Sequence, residues 1–159
     1  MKIFSSEYLD GLTSEAVCNP RKRQHHNIHE SYKDHCQRLF NAIEPDSYIR
    51  PHRHKSDPKN ELLIAVRGLM ALVTFDDRGN VIEVLHFGAD RHGKKLTIGT
   101  ELPANTWHTV IALESGSILL EVKKGPFDPS QPKDFAPWAP QEGEPSSQEY
   151  LNMLISKII

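Results

Sequence analysis

The feature that most restricts the fold of this chain is a run of eight short apolar segments between residues 36 and 122. Each segment is rich in β-branched and aliphatic residues, and turn-forming stretches such as Glu44-Pro45-Asp46-Ser47 separate them. The connections are too short for crossover helices, which excludes parallel βαβ units. The run therefore predicts an all-β antiparallel sandwich or small barrel. Its segments are Cys36–Ile43, Tyr48–His54, Glu61–Val66, Leu69–Phe75, Val81–Phe87, Leu96–Thr100, His108–Leu113 and Ser117–Val122.

The flanking segments differ from this run. Residues 5–18 predict a short helix that ends before Pro20, and the basic stretch 21–29 predicts a loop or an edge strand. Residues 124–145 are rich in proline, which excludes a helix or a central strand, and their aromatic residues favour packing across the barrel. A final helix is predicted from Ser146 onward, because apolar residues recur on one side of it. We divide the single domain into a lead-in (1–35), a barrel (36–123) and a tail with a helix (124–159).

Composition limits the classes of function. With 159 residues, of which 38% are hydrophobic and 25% charged, the chain has the balance of one globular domain. Its formal net charge of −2 provides no basic excess for nucleic acid. No apolar run reaches membrane-spanning length, and the N-terminus lacks the apolar core of a secretory signal. We therefore expect a cytoplasmic protein that binds neither nucleic acid nor membrane, with Cys18 and Cys36 as free thiols.

Two histidines one residue apart, His52 and His54, indicate a metal site. Side chains alternate along a strand, so these histidines would share one face with Tyr48 and Arg50. A face of that polarity either meets solvent or lines a polar cavity that holds a ligand. A lone strand histidine is usually structural, and the pairing favours the ligand site.

Glu61 and His108 are the candidates to complete this site. Glu61 opens an otherwise apolar strand, where a metal ion or an arginine would offset the cost of burying a carboxylate. The alternative is a strand-end carboxylate in solvent. His108 follows a turn in which Asn105 tolerates positive φ, and it leads into an apolar strand. Three imidazoles and a carboxylate predict one divalent transition metal, and they suit iron, manganese, nickel, cobalt or zinc alike.

These residues carry a resemblance to the cupin superfamily. Pro51-His52-x-His54 with Glu61 and Gly68, followed by Pro103-x-Asn105-x-x-His108, resembles the two cupin motifs. The gap between His54 and Glu61 is longer than is usual in cupins, and Asn105 stands where glycine is typical. The chain more closely resembles the WbuC-type cupin fold metalloproteins, in which the longer gap is normal. That likeness covers nearly the whole chain, in Asn19-Pro20-Arg21-x-Arg23, Asn27-x-His29-Glu30, Gln37-Arg38, Ser47-Tyr48, Lys59-x-Glu61, Thr106-Trp107-His108, Glu121-Val122-Lys123, Gly125–Pro129 and Lys133–Pro140.

The resemblance implies a single cupin barrel, that is, a double-stranded β-helix or jelly roll, with short N-terminal and C-terminal helices. It implies that His52, His54, Glu61 and His108 bind one metal at the mouth of this barrel. It also implies an association with bacterial surface-polysaccharide gene sets, without an established reaction.

The remaining polar residues predict the ligand. Arginines at a metal site suit a small anionic molecule. The candidate binding residues are Arg50, Arg21, Arg23 and Asn27, and the candidate acid–base residues are Tyr48 and His29. The alternatives are an internal salt bridge for Arg50 and a solvated or dimer-contacting loop for the N-terminal group.

Two classes of function stay open. The first is a metal-dependent enzyme that acts on a small anionic carbohydrate or sugar-nucleotide in surface-polysaccharide synthesis. Its chemistry would be Lewis-acid isomerisation or epimerisation, or else dioxygenation. The second is a non-catalytic, metal-dependent binding or accessory protein. Edge strands and the aromatic tail predict a homodimer.

Overall fold

Strands make up most of the regular secondary structure. The computed structural model describes residues 1–89, 97–130 and 133–158. The elements are α1 (Ser6–Cys18), β1 (Arg23–Asn27), β2 (Cys36–Ile43), β3 (His52–Arg53), β4 (Glu61–Arg67), β5 (Leu69–Phe75), β6 (Val81–Gly88), β7 (Gly99–Leu102), β8 (Trp107–Ala112), β9 (Ser117–Lys124), β10 (Asp134–Phe135) and α2 (Pro145–Ile158). A polar hairpin loop predicted around His92 lies outside the described residues. Neither of these helices is long and apolar enough to cross a bilayer.

The strands form two antiparallel sheets of five strands each. Their orders are β1-β2-β9-β4-β7 and β10-β3-β8-β5-β6. Strands β2 and β9 pair along their whole length, from Cys36 opposite Lys124 to Ile43 opposite Ser117. Apolar side chains from both sheets fill the space between them, among them Leu63 from β4 and Met70 from β5. The prediction of an all-β fold with two short helices is confirmed.

Each helix covers a different part of the sandwich. The hydroxyl of Ser5 caps α1 by accepting a hydrogen bond from the Tyr8 amide. Helix α1 then packs Leu12 and Ala16 against β2 and β9, where Phe40 and Ile118 are buried. Helix α2 buries an apolar stripe on the other sheet, made of Leu151, Leu154 and Ile158.

The proline-rich tail crosses the sheet that contains β3. Strand β10 pairs with β3, which places Phe135 opposite His52. Further along, the Trp138 ring packs 5.0 Å from the Phe75 ring and 6.2 Å from the Trp107 ring, measured between centroids. This contact agrees with the expectation that the aromatic residues of the tail pack on the barrel.

One strand is shorter than predicted. Only His52–Arg53 of the segment 48–54 pairs as a strand, and residues 48–51 are irregular. The alternation that was expected to place Tyr48 beside the histidines is therefore absent, and that expectation is wrong. Tyr48 instead packs into the core under α2, with its ring centroid 6.1 Å from that of Tyr150. The tight turn before His108 is as expected, since Asn105 has φ of 62°.

Candidate metal centre

Strands β3 and β8 of one sheet and strand β4 of the other bring the predicted ligands together. His52 on β3 lies directly opposite His108 on β8, with ring centroids 4.5 Å apart. The ring of His54, just past β3, has its centroid 5.6 Å from that of His52. Glu61 is the first residue of β4, and its Oε2 lies 3.8 Å from the Nε2 of His108. His52, Glu61 and His108 are all at least nine-tenths buried.

Backbone carbonyls set the tautomers of two of these histidines. The Nδ1 of His52 lies 3.0 Å from the carbonyl oxygen of Arg50, and the Nδ1 of His108 lies 2.9 Å from that of Thr106. A carbonyl can only accept, so each Nδ1 carries the hydrogen and donates it. Each Nε2 is then left with a lone pair. A hydrogen-bonded Nδ1 and a bare Nε2 form the arrangement that metal-binding histidines generally show.

His54 and Glu61 provide the test of whether a metal fits. The Nε2 of His54 lies 2.8 Å from the Oε1 of Glu61, yet this buried nitrogen has no aligned hydrogen-bond partner in the described part of the chain. Two ligands at right angles, each about 2.1 Å from a metal, stand roughly 3 Å apart. Their separation therefore suits a pair of adjacent ligands, and the donor set of three imidazoles and a carboxylate suits a transition metal.

The donor atoms of the four predicted ligands do not converge on a single point where an ion could bind. In the ranges 1–89, 97–130 and 133–158, no group of three or more His, Cys, Asp or Glu side chains is arranged to hold an ion as it stands. The Nε2 of His52 is engaged by Lys133, whose Nζ lies 3.1 Å away and donates to its lone pair. Ligation by His52 requires this contact to break.

Burial controls the charge of these groups. It lowers the pKa of His52 well below its ordinary value and lowers that of His108, which favours the neutral rings that a metal needs. Burial also raises the pKa of Glu61, but the contact with His54 and the charge of Lys123 outweigh it and hold that pKa at about 2. Glu61 is therefore an anion at neutral pH.

Three cavities meet at this centre, and Asn41 and Lys133 line all of them. The smallest, about 40 Å³, is bordered by His52, Glu61 and His108 and has room for one ion or one water. We call the largest, about 480 Å³, the outer cavity. The third, about 210 Å³, lies on the side of β2 and is called the second cavity.

Comparison with known families adds to this geometry. Residues 4–87 match the model of a family described as a domain of unknown function, DUF6016. The chain belongs to the DUF6016 family. The matched span includes His52, His54 and Glu61, and it ends before His108. A search of curated proteins finds no match.

Solved structures place this DUF6016 chain in the cupin fold. Oxalate oxidase, solved with the substrate analogue glycolate, superposes with a TM-score of 0.55 at 10% identity, over 89% of this chain and 75% of that chain. The capsular polysaccharide assembling protein CapF from Staphylococcus aureus gives a TM-score of 0.54 at 22% identity, over 74% of this chain and 32% of CapF. KdgF from Halomonas sp. gives 0.50 at 14% identity, over 67% of this chain and 82% of that chain. At these identities the likeness concerns the fold, and the predicted cupin fold is confirmed.

Among the predicted ligand-binding residues of this DUF6016 chain, Arg50 lies in the wall of the outer cavity. Its guanidinium donates to the carbonyl of Ala136 at 2.7 Å and lies 5.5 Å from the centre of the Phe135 ring. No ion pair of Arg50 is found within the described residues, so the internal salt bridge considered for it does not form there.

Arg21 and Arg23 also line the outer cavity, but one carboxylate engages both. Glu142 accepts from Arg21 Nε at 2.6 Å and from Arg23 Nη2 at 2.7 Å. Burial raises the pKa of Glu142, and the two arginines more than offset this and hold it at about 2. These arginines therefore shape the wall, and the single carboxylate offsets one of their two positive charges.

The other predicted residues lie away from the ligand cluster. Asn27 and His29 line the second cavity. The hydroxyl of Tyr48 donates to the carbonyl of Pro140 at 2.9 Å, and burial raises its pKa. Tyr48 lines none of the three cavities, so the structure does not bring it together with the histidines.

Sequence reasoning assigned no role to Lys133, Asn41 or Glu142. Lys133 stands in the segment Lys133–Pro140 that resembles the WbuC-type proteins, which was the one signal that could have found it. Neither Asn41 within a strand nor Glu142 within a turn-rich tail has a distinguishing pattern. Their positions depend on the pairing of β2 with β9 and on the path of the tail, and both are tertiary properties.

Proposed function

We propose that this chain is a metal-dependent cupin in which His52, His54, Glu61 and His108 hold one divalent transition metal, and whose outer cavity binds a small anionic carbohydrate or sugar-nucleotide. The observation that carries the proposal is the buried Nε2 of His54, which lies 2.8 Å from the Glu61 carboxylate without an aligned hydrogen bond. The tautomers of His52 and His108 support it, because each Nδ1 donates to a backbone carbonyl and each Nε2 therefore carries no hydrogen.

The charge around the cluster supports an anionic ligand. The Lys133 ammonium lies between the cluster and the outer cavity, and the guanidinium of Arg50 forms part of the same wall. The Lys133 residue is exposed overall, since its aliphatic part borders the open cavity. Its Nζ nevertheless points inward to His52. Two cations facing one polar cavity suit a carboxylate or a phosphate.

The residues have distinct parts in the proposed chemistry. When bound, a divalent metal would supply Lewis acidity toward a carbonyl or hydroxyl oxygen. Arg50 and Lys133 would bind the negative charge of the ligand and so fix its orientation. Of the two predicted acid–base residues, only His29 borders a cavity, so His29 is the one that we retain. Isomerisation or epimerisation is the reaction class that we favour, and dioxygenation is our second choice.

A role in bacterial surface polysaccharide synthesis rests on the resemblance to WbuC-type proteins. The fold likeness to CapF, a capsular polysaccharide assembling protein, is in keeping with it. We also propose a homodimer in the cytoplasm. The second candidate function is a non-catalytic metal-dependent binding protein. The contact of Lys133 with His52 favours it, because an anion bound by Lys133 would act directly on a histidine that holds the metal.

The experiment is a binding and turnover screen of sugar acids and nucleotide-sugars on the metal-loaded and metal-stripped protein. The proposal predicts binding of an anionic sugar that weakens on removal of the metal and in Arg50→Met. Turnover would identify an enzyme, and tight binding without turnover would identify the second candidate. Equal binding with and without metal would contradict both.

A further inference from the structure

The second cavity lies beside the outer cavity, and the two share His25, Asn41 and Lys133 as lining residues. Its volume of about 210 Å³ is that of roughly seven water molecules in the liquid, so it holds an object the size of one sugar ring. Residues from three parts of the chain form it, the principal ones being His29, Tyr32, Gln37, Leu39, Asn41 and Phe127.

One wall of the second cavity is aromatic. The rings of Tyr32 and Phe127 stand 5.1 Å apart between centroids with an interplanar angle of 64°. The backbone holds the two residues together, because the Phe127 amide donates to the carbonyl of Tyr32 at 2.7 Å. Gln37 anchors the same loop by donating to the carbonyls of Tyr32 and Asp34. This wall is therefore a preformed apolar surface of the kind that small-ligand pockets offer to a ring.

His29 contributes an unused hydrogen-bonding nitrogen. Its Nδ1 faces the backbone of Arg38, 2.8 Å from the carbonyl oxygen and 3.0 Å from the amide nitrogen. His29 is only 6% exposed, and its Nε2 has no partner within the described residues. Buried polar groups are nearly always paired in native proteins.

Asn41 contributes an unused acceptor. Its Oδ1 is buried and also lacks a partner in the part of the chain that the structure describes. An unpaired ring nitrogen and an unpaired amide oxygen beside an aromatic wall match the needs of a sugar ring, whose hydroxyl groups both donate and accept while its C–H face is apolar. Asn41 stands at the junction, so it can contact ring substituents on either side of a linkage.

We propose that the second cavity binds an uncharged ring face of a second sugar unit, so that the ligand is an acidic disaccharide whose charged unit lies in the outer cavity. This inference rests on the proposed function for the anionic unit and adds the second ring. His29 and Phe127 are its binding residues, and Lys133 bridges the two sites.

The test compares one ring with two. Isothermal titration calorimetry measures the affinity of the full chain for glucuronic acid (the monomer) and for a disaccharide of glucuronic acid β-1,4-linked to an uncharged glucose (the dimer), with and without added Mn²⁺. The wild-type protein is compared with His29→Ala, with Phe127→Leu, which keeps apolar volume but removes the aromatic face, and with His26→Ala. His26 is an exposed histidine on β1 that contacts the Tyr8 ring and borders neither cavity. Metal content and circular dichroism report whether each variant is folded.

The proposal predicts that the dimer binds about tenfold more tightly than the monomer in wild type and in His26→Ala. His29→Ala and Phe127→Leu should each reduce that ratio to about threefold or less, and Phe127→Leu should leave the monomer affinity unchanged. Equal affinities for monomer and dimer in wild type would overturn the proposal, as would a ratio retained in both cavity variants. A protein that binds Mn²⁺ but neither sugar would overturn the second-ring site and leave the metal centre standing. A dimer preference without metal binding would overturn the proposed function instead.

Discussion

Lys133 Nζ and His52 Nε2 lie 3.1 Å apart, although 81 residues separate them in the chain. The contact joins the tail to the candidate metal centre and uses the lone pair that a metal would need. Burial lowers the pKa of Lys133, with neighbouring Lys123 acting in the same direction and Glu121 opposing it. The amine therefore resides in a setting where its positive charge is costly, close to where a metal cation would add to that cost.

The first prediction concerns this contact. Lys133→Met removes both the competing donor and a like charge, so metal affinity should increase by about tenfold while affinity for an anionic ligand falls. Competition titration with a chelator measures the metal affinity. Lys157→Met, an exposed lysine of α2, is the matched control and should leave it unchanged. Unaltered metal affinity in Lys133→Met would show that Lys133 does not compete.

The second prediction concerns the carboxylate that joins two arginines. Glu142→Gln removes the charge that Arg21 and Arg23 share, and should lower the free energy of unfolding at pH 7 by about 1 kcal/mol. The figure is small because the carboxylate is partly open to solvent.

The pH dependence of that loss follows from the pKa of Glu142, which is lowered from 4.5 to about 2. A carboxyl whose pKa falls on folding stabilises the fold above its unfolded pKa, and this stabilisation is lost as the pH falls through the folded value. The difference between wild type and Glu142→Gln should therefore be full above about pH 4.5 and shrink toward pH 2. Urea denaturation at pH 7, 4 and 2.5 measures it, and a difference independent of pH would count against the ion pairs.

The third prediction concerns Gly68, in the turn between β4 and β5. Its φ of 74° disfavours any side chain, and a Cβ there would overlap the Ser117 side chain and approach the Ser117 Cα to 2.8 Å. Gly68→Ala should cost the roughly 1 kcal/mol of a left-handed alanine plus a further 1–3 kcal/mol from the clash. Gly143→Ala, with φ of 89° and open space around it, isolates the first cost. Equal losses of stability for the two variants, measured by thermal unfolding, would contradict the close packing on Ser117.

The fourth prediction concerns the attachment of the tail. Trp138→Ala removes packing on Phe75 and Trp107, and should destabilise the fold by about 2–3 kcal/mol. It should also weaken anion binding, because the same tail segment carries Lys133. Phe135→Ala, whose ring is half exposed, should cost less than about 1 kcal/mol. Chemical denaturation and anion titration of both variants provide the comparison, and an unaltered anion affinity in Trp138→Ala would show that Lys133 is held independently of that packing.

Much of the fold was predictable because local signals agreed with the tertiary structure. The apolar segment Cys36–Ile43 and the segment Leu69–Phe75 are strands with the predicted bounds, since turn residues flank both. The segment 48–54 was overestimated as a strand, because the β-like residues Tyr48 and Ile49 are recruited by the core under α2 and by the cavity wall. Tertiary packing there overrode local propensity.

The candidate site was predictable only where its residues form motifs. His52, His54, Glu61 and His108 stand in two segments that resemble the cupin motifs, and the strands do bring them together. Lys133 and Asn41 come to the same place through long-range pairing, which no local pattern encodes. The role of Tyr48 as an acid–base residue was inferred from strand parity, and it loses that support because the strand does not extend to it.

The central claim is the metal centre, and elemental analysis of the purified protein tests it most directly. We predict one equivalent of a divalent transition metal per chain in wild type and in His26→Ala, and less than about a tenth of that in His54→Ala and His108→Ala, with all four proteins folded by circular dichroism. Stoichiometric metal retained in both His54→Ala and His108→Ala, or a wild-type protein that binds no transition metal after reconstitution, would contradict the account.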